Sequence, residues 1–116
     1  QAKLVRCTKG KILDIIVDIR KGSPDYGKSY SYELSPLNGK QLYIPVGFLH
    51  GFITLVNNSE VNYKCTNYFS KKHEVTIKFD DPDLNIKWPL KKYILSTKDK
   101  NSSLLLKNFK NPFKYK

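Results

Sequence analysis

Apolar and polar residues alternate along much of the chain, which is the pattern of β-strands that pack one face into a core. The segment KILDIIVDIR, residues 11–20, is the clearest case. Its apolar residues fall on one face: Leu13, Ile15, Val17 and Ile19. Its charged residues fall on the other: Asp14, Asp18 and Arg20. We therefore predict a strand with one apolar face and one charged face.

Seven further short segments have the composition of strands: KLVRCT, SYSYEL, QLYI, HGFITLV, VNYKCTNYF, EVTIKF and NIKW. Turn signals separate them: KGSPDYG, SPLNGK, PVG, NNSE and DDPD. No window of useful length shows helical periodicity. Many short strands at close spacing predict an all-β sandwich or barrel of the jelly-roll kind. A barrel of this size can hold one small ligand, with polar side chains among the apolar ones inside.

The stretch QLYIPVGFLHGFITL, residues 41–55, predicts two strands joined at PVG, with a titratable ring at His50 in the second. Inward positions across the predicted strands make Lys3, His50 and Tyr63 candidate pocket groups. Such groups are costly to bury unless they contact each other or a ligand. Each also has an ordinary explanation. Lys3 fits a surface lysine, Tyr63 a core tyrosine with its hydroxyl at the rim, and His50 a partly buried histidine with one hydrogen bond.

The chain has 116 residues, which favours a single domain with one core. Its two cysteines, Cys7 and Cys65, are far apart and form no CxxC motif, so we expect free thiols in a reducing compartment. No apolar run has the length of a membrane helix and no signal peptide opens the chain. We therefore expect a soluble, cytoplasmic protein.

The net charge of +11 raises the possibility of nucleic-acid binding, but its distribution disfavours that function. Residues 1–86 hold 12 Lys/Arg against 9 Asp/Glu, a balance of +3, whereas residues 87–116 hold 9 Lys against 1 Asp, a balance of +8. We interpret residues 100–116 as a basic, solvated C-terminal extension. A basic surface would also suit an anionic small molecule.

Metal binding is disfavoured by the small number of histidines. The chain has only His50 and His73, and neither belongs to an HxH or HxxxH pair. A zinc or iron site needs three or four ligands. We therefore predict no metal and interpret His73 as a loop residue.

Five segments follow one another along the chain: KLVRCTKGKILDIIVDIRKGSPDYGK, QLYIPVGFLHGF, VNYKCTNYF, FDDPDLNIKWP and LSTKD. Their order and spacing resemble those of the dTDP-4-dehydrorhamnose 3,5-epimerase family. The resemblance extends over residues 1–99. It implies a cupin-type jelly-roll domain over those residues, without metal or cofactor, and usually a homodimer. It also implies an isomerase of a dTDP-linked 4-keto-6-deoxy sugar in the synthesis of dTDP-rhamnose or a related deoxysugar.

The resemblance assigns catalytic roles to Tyr63 and Asp99 and a substrate contact at the reacting centre to Lys3. The C4 ketone of such a sugar acidifies the protons at C3 and C5, so a base can remove one and leave an enolate. Lys3 matches the lysine near the C4 oxygen, where a cation stabilises developing negative charge. Tyr63 matches the tyrosine that returns a proton from the opposite face as general acid. Asp99 matches the aspartate that orients the base.

The resemblance assigns substrate contacts to four further positions. His50 matches a histidine near the sugar, which it would contact or polarise. Phe69 falls where the family has an aromatic residue, often tyrosine, that stacks on the thymine. Glu74 and Lys98 match positions that contact the substrate.

One block of the family is absent from this chain. The base of the family is a histidine in an RGLHYQ-type block shortly before the KLVR strand, and His50 is not that histidine. Asp99 therefore has no histidine partner in the sequence, and the family's arginine for the diphosphate is missing too. We expect a fragment of a longer protein. The alternatives are a homologue that binds a sugar nucleotide without catalysis and a nucleic-acid binder that uses the lysine-rich extension. The sequence leaves open whether C3, C5 or both are epimerised.

Overall fold

The computed structural model describes residues 2–65, 77, 81–82, 84, 86, 102 and 104–114. The chain divides into two compact units. The first unit comprises residues 1–69 and 113–116, and the second comprises residues 70–112.

Six strands form the framework of the first unit: β1 (Lys3–Lys9), β2 (Ile12–Asp18), β3 (Ser29–Leu34), β4 (Gln41–Ile44), β5 (Phe48–Thr54) and β6 (Glu60–Cys65). Each coincides with a strand that the alternation predicts, within a few residues at its ends. Among the described residues the helical structure is one 3-10 turn, Leu106–Asn108, in the second unit. The all-β prediction is therefore confirmed. The predicted strands EVTIKF and NIKW lie almost entirely outside the described residues.

The strands form two antiparallel three-stranded sheets, with strand orders β4-β1-β6 and β3-β2-β5. The predicted PVG connection is confirmed, and it carries the chain from β4 in the first sheet to β5 in the second. Gly47 in this connection has φ +96°, and a Cβ there would lie 2.5 Å from Cγ of Arg20. A glycine is required because both the backbone conformation and the close side chain exclude a larger residue.

The core lies between the two sheets. Apolar side chains from β1, β2, β3 and β4 form one buried cluster: Val5, Cys7, Ile12, Ile16, Leu34 and Ile44. Three partly buried residues from β4, β5 and β6 pack against it: Leu42, Phe48 and Val61. Since all six strands contribute, the sheets pack face to face as a sandwich.

Strand β2 differs from its predicted orientation. The prediction placed Asp14 and Asp18 on a charged face opposite the apolar one. Both carboxylates are instead fully buried, on the same face as the core residues Ile12 and Ile16. The reason is that nearly all residues of β2 are buried, on both faces of the strand. A strand covered on both faces must bury whatever polar residues it carries.

Asp18 at the end of β2 organises the following loop, residues 19–28. Its carboxylate accepts hydrogen bonds from the guanidinium of Arg20, at 2.9 and 3.0 Å, and from the hydroxyl of Ser23, at 2.6 Å. These bonds, above all the one from Arg20, outweigh the effect of burial and lower the pKa of Asp18 to about 2. The Arg20 guanidinium also lies over the Phe48 ring, 4.9 Å from its centroid. The loop is thereby tied to β5 as well as to β2.

Part of the predicted C-terminal extension, residues 113–116, belongs to the first unit. The backbone N–H of Lys21 donates to the carbonyl of Phe113 at 2.9 Å, and Lys21 forms a parallel bridge with Lys114. The predicted boundary between residues 99 and 100 falls outside the described residues and stays a prediction. In the second unit Ile77, Leu84 and Asp81 are buried. No helix within the described ranges is long and apolar enough to cross a membrane.

Candidate functional site

Lys3 and Tyr63 meet on the inner face of the first sheet. Tyr63 on β6 is paired with the core residue Val5 on β1, so its side chain lies on the core side of the sheet. Lys3 lies two residues before Val5 and shares that face. Its ammonium nitrogen is 5.6 Å from the centroid of the Tyr63 ring, within range of a cation–π interaction. Tyr63 is 56 % exposed, so a ligand can reach the phenol.

His50 belongs to the second sheet, where it pairs with Asp14. In the register between β2 and β5, His50 lies opposite Ile16 and Asp14 lies opposite Phe52, so the two polar residues are diagonal neighbours. The Nε2 atom of His50 lies 2.5 Å from Oδ1 of Asp14. The His50 side chain is 11 % exposed and that of Asp14 is fully buried. A proton on Nε2 must bridge these atoms when the carboxylate is ionised, which leaves Nδ1 for another partner.

Asp14 is the residue of this site that the sequence analysis missed. Its Oδ2 atom is buried and has no hydrogen-bond partner among the described residues. A signal was present in the sequence, because Ile12 and Ile16 alternate with Asp14 on one face of β2. Apolar residues on both faces are typical of a strand buried on both sides, and a buried carboxylate in such a strand requires a partner.

Aromatic side chains border Asp14 on both neighbouring strands. Tyr32 on β3 and Phe52 on β5 are each paired with Asp14 and so lie on the core side of the sheet. Both rings are nevertheless exposed. The Phe52 ring lies beside His50, with 6.2 Å between the ring centroids. This part of the inner face is therefore an accessible aromatic surface around a buried polar pair.

The described residues cover three of the seven predicted site positions. Lys3 and Tyr63 contact each other in the first sheet, while His50 contacts Asp14 in the second. All three lie on the core sides of their sheets. The convergence of the three on one cavity stays a prediction. Four predicted site residues lie outside the described residues: Phe69, Glu74, Lys98 and Asp99.

Two antiparallel sheets that face each other across one core, with cationic, phenolic and imidazole groups on their core sides, define a cupin-like jelly-roll protein. The sequence model of one family, described as dTDP-4-dehydrorhamnose 3,5-epimerase, matches residues 1–107. The chain belongs to this family.

Relatives and solved structures agree with this assignment. The chain is 49 % identical over 106 residues to a dTDP-4-dehydrorhamnose 3,5-epimerase of Sinorhizobium fredii, covering 90 % of this chain and 54 % of that protein. It is similar to the 3,5-epimerase structure from Legionella pneumophila in complex with dTDP-4-keto-L-rhamnose, at a TM-score of 0.92 and 39 % identity. That match covers 99 % of this chain and 62 % of the other.

A third match is another solved structure of the same family, with similar coverage. The dTDP-4-dehydrorhamnose 3,5-epimerase structure from Elizabethkingia anophelis has a TM-score of 0.88 and 44 % identity, covering 96 % of this chain and 61 % of the other. The chain thus spans a little over half the length of the relatives it matches. The resemblance found in the sequence and the jelly-roll prediction are both confirmed.

Proposed function

We propose that this chain forms part of the active site of an isomerase that acts on a dTDP-linked 4-keto-6-deoxy-hexose. The reaction is proton removal and return at C3, C5 or both, in the synthesis of dTDP-rhamnose or a related deoxysugar. Family membership supports the reaction class, and the similar Legionella epimerase is a complex with dTDP-4-keto-L-rhamnose, a keto-sugar nucleotide. The observation that carries the proposal within this chain is the contact between Lys3 and Tyr63.

In this proposal Lys3 and Tyr63 act at different steps of the reaction. Removal of a proton beside the C4 ketone leaves an enolate oxygen, and the ammonium of Lys3 stabilises its charge. The phenol of Tyr63 then returns a proton to carbon as general acid. Their proximity supports these roles, because the stabilised oxygen and the reprotonated carbon are separated by only one further atom of the sugar.

The pair formed by Asp14 and His50 acts as a positioning device for the sugar. The buried carboxylate holds the imidazole through Nε2, so the ring keeps one orientation and presents its other nitrogen to a ligand. Since Nε2 is engaged by Asp14, we assign His50 to substrate contact rather than to proton abstraction. The family's base belongs to a block that this chain does not contain.

Binding of the nucleotide is assigned to residues beyond the described sheets. Phe69 stacks on the thymine, Glu74 and Lys98 contact the substrate, and Asp99 orients the catalytic base. The net charge of +11 favours an anionic ligand. Calorimetry should therefore detect dTDP binding more readily than rhamnose binding, and equal heats for both would contradict this assignment.

Solvent deuterium exchange at C3 and C5, followed by NMR, tests the catalytic proposal. We expect the 116-residue chain to exchange these protons far more slowly than a full-length family member, because a positioned general base contributes ~10²–10⁴-fold. Joining an upstream segment with the RGLHYQ block should restore exchange. In that longer protein Tyr63→Phe should slow reprotonation and Lys3→Gln should slow both steps.

Matched controls come from the outer face of the same sheet. Tyr43 on β4 and Lys64 on β6 are both paired with Leu4, which lies on the face opposite Lys3 and Val5. Tyr43→Phe and Lys64→Gln should leave exchange unchanged. Rapid exchange by the 116-residue chain alone would overturn the assignment of the missing base. Restored length without exchange would favour the alternative, a sugar-nucleotide-binding homologue without catalysis.

The proposal includes a homodimer, as the resemblance implies, and a cytoplasmic location, as the sequence analysis expects. Sedimentation equilibrium of the longer protein measures its assembly state. A monomer at every accessible concentration would contradict the dimer.

A further inference from the structure

A polar cavity lies at the end of the first sheet that is remote from Lys3. Pairing between β1 and β4 runs from Lys3 opposite Ile44 to Arg6 opposite Gln41 and ends there. Beyond this point β1 continues through Thr8 while the chain before β4 turns away, which opens a cavity of about 290 Å³. Its lining includes Arg6, Thr8, Ser35, Gly39, Lys40 and Gln41.

The outer wall of this cavity, residues 35–40, is held in one conformation by Asn38. The side-chain oxygen of Asn38 accepts hydrogen bonds from the backbone N–H groups of Ser35, at 3.2 Å, and Lys40, at 2.9 Å. Its amide nitrogen donates to the carbonyl of Glu33 at 2.8 Å. The backbone N–H of Gly39 donates to the Ser35 carbonyl at 3.1 Å. The wall is therefore formed in advance of any ligand, which lowers the entropy that binding must overcome.

The cavity concentrates positive charge and hydrogen-bond donors. Arg6 and Lys40 both line it, and neither forms an ion pair within the part of the chain that the structure describes. No carboxylate belongs to its lining. Ser35 is 5 % exposed, and its hydroxyl oxygen accepts the backbone N–H of Asn38, which leaves the hydroxyl proton to donate.

We propose that this cavity binds a small phosphate-type oxyanion, with inorganic diphosphate as the probe of its chemistry. Two cations that line one cavity, without an ion-pair partner among the described residues, attract an anion, and an arginine binds phosphate oxygens through two parallel hydrogen bonds. The volume lies at the lower limit of small-molecule sites, so it suits a compact anion rather than an entire sugar nucleotide.

This site is separate from the one assigned to the keto-sugar. Arg6 lies three residues after Lys3, so their side chains lie on opposite faces of β1. The β1–β4 register also places Gln41 at one end of the ladder and the partner of Lys3, Ile44, at the other. The anion site therefore stands independently of the proposed isomerase reaction.

Titration of the ¹⁵N-labelled 116-residue chain with sodium diphosphate, at constant ionic strength, tests the proposal. We expect saturable shifts of the backbone amide signals of Arg6, Thr8, Gly39 and Lys40. Arg6→Gln and Lys40→Gln, made separately, should each weaken binding about tenfold, since each removes a charge-assisted hydrogen bond. Both side chains are exposed, so the amide spectrum without ligand should show each variant folded.

The control removes the same charge elsewhere. Lys28→Gln changes an exposed lysine in the loop after β2, paired with Asp25 and outside the cavity. Its affinity for diphosphate should match that of the parent chain. Three outcomes would overturn the proposal: shifts that do not saturate, equal weakening by all three variants, or saturable shifts confined to the amides around Lys3 and Tyr63.

Discussion

Asp14 and Asp18 occupy equivalent positions on β2, four residues apart on the same face, and both are fully buried. Their surroundings differ. All the acceptor capacity of Asp18 is used by Arg20 and Ser23, whereas Asp14 contacts His50 through one oxygen and, among the described residues, leaves the other without a partner. A fully satisfied buried carboxylate is typical of a structural role. An incompletely satisfied one beside a histidine that is 11 % exposed fits a site that a ligand completes.

Replacing Asp14 by alanine should destabilise the fold strongly. The change leaves His50 without its partner and creates a void in the core, so we expect a loss of about 3 kcal/mol in the free energy of unfolding. Urea denaturation measures this loss. Asp25→Ala is the control, because Asp25 forms an exposed ion pair with Lys28 whose removal should cost under ~1 kcal/mol. Equal losses in the two variants would show that the buried pair of Asp14 and His50 stabilises the fold no more than an exposed ion pair does.

The contribution of Asp18 should depend on pH in the acid range. Its pKa is lowered from 3.8 to about 2 in the folded chain. The ionised carboxylate therefore stabilises the fold fully above the unfolded pKa, and this contribution is lost as pH falls through the folded value. The total is about 2 kcal/mol.

Urea denaturation of the parent chain and of Asp18→Asn across this range checks the dependence. The difference in unfolding free energy between them should shrink by about 2 kcal/mol as pH falls from neutral to about 2. Asp25→Asn, at an exposed position, should show a nearly constant difference. A constant difference for Asp18→Asn as well would contradict the assigned pKa.

At the level of secondary structure, the alternation of apolar and polar residues predicts the strands. The connections between the strands and their pairing determine where each strand begins and ends. Strand β5 begins at Phe48, directly after the predicted PVG connection and two residues before the segment HGFITLV, because pairing with β2 extends to Asp18 opposite Phe48. Strand β6 is predicted to residue 69 and is described to Cys65. The tight turn between β1 and β2 depends on Gly10, which has φ +79° and lies against Ser59.

Gly10→Ala should therefore destabilise the chain more than an alanine at a glycine with free space around it. A Cβ at Gly10 would lie 2.8 Å from Cα of Ser59, and Ser59 is itself fixed by hydrogen bonds to Lys11. Gly22 has a similar φ of +85° with nothing within 4 Å of its Cβ position, so Gly22→Ala shows the backbone strain alone. We expect about 1 kcal/mol for Gly22→Ala and at least ~1 kcal/mol more for Gly10→Ala. Equal melting temperatures for the two variants would contradict a steric role for Ser59.

At the scale of the whole molecule, the two sheets form a sandwich whose core includes one of the two thiols. Cys7 is buried in the cluster between the sheets, and its thiol donates to the Lys9 carbonyl at 3.1 Å. Cys65 at the end of β6 is exposed. The expectation of free thiols agrees with the structure, in which both cysteines are free.

Thiol reactivity should therefore report on the integrity of the sandwich. With Ellman's reagent, one thiol should react rapidly in the native chain and two in denaturant, because burial protects Cys7 until the sheets separate. Cys65→Ser should abolish the rapid phase and leave the slow one. Rapid reaction of both thiols in the native chain would show that the core between the sheets opens readily.

Sequence alone accounts for most of the strands and for the chemical groups of the site. The alternation of apolar and polar residues and the turn signals involve only a few neighbouring residues, so six strands could be predicted from local sequence. Lys3, His50 and Tyr63 could be chosen by residue type and by the face of the predicted strand on which each lies. Apolar residues on both faces of β2 signalled that Asp14 is buried, but a local pattern does not show which distant residue is its partner. That partner, His50, is set by the register between β2 and β5, which pairing between distant residues decides.

By itself, then, the sequence determined the all-β class, the turns, the resemblance to the epimerase family and the candidate residues. Only the tertiary structure decided which groups meet. Asp14 and His50 are 36 residues apart in the chain, and Lys3 and Tyr63 lie on strands whose register is set across the sheet. The cavity beside Arg6 arises where one ladder ends. These features depend on register and strand order, which result from the packing of all six strands around one core and leave no local mark in the sequence.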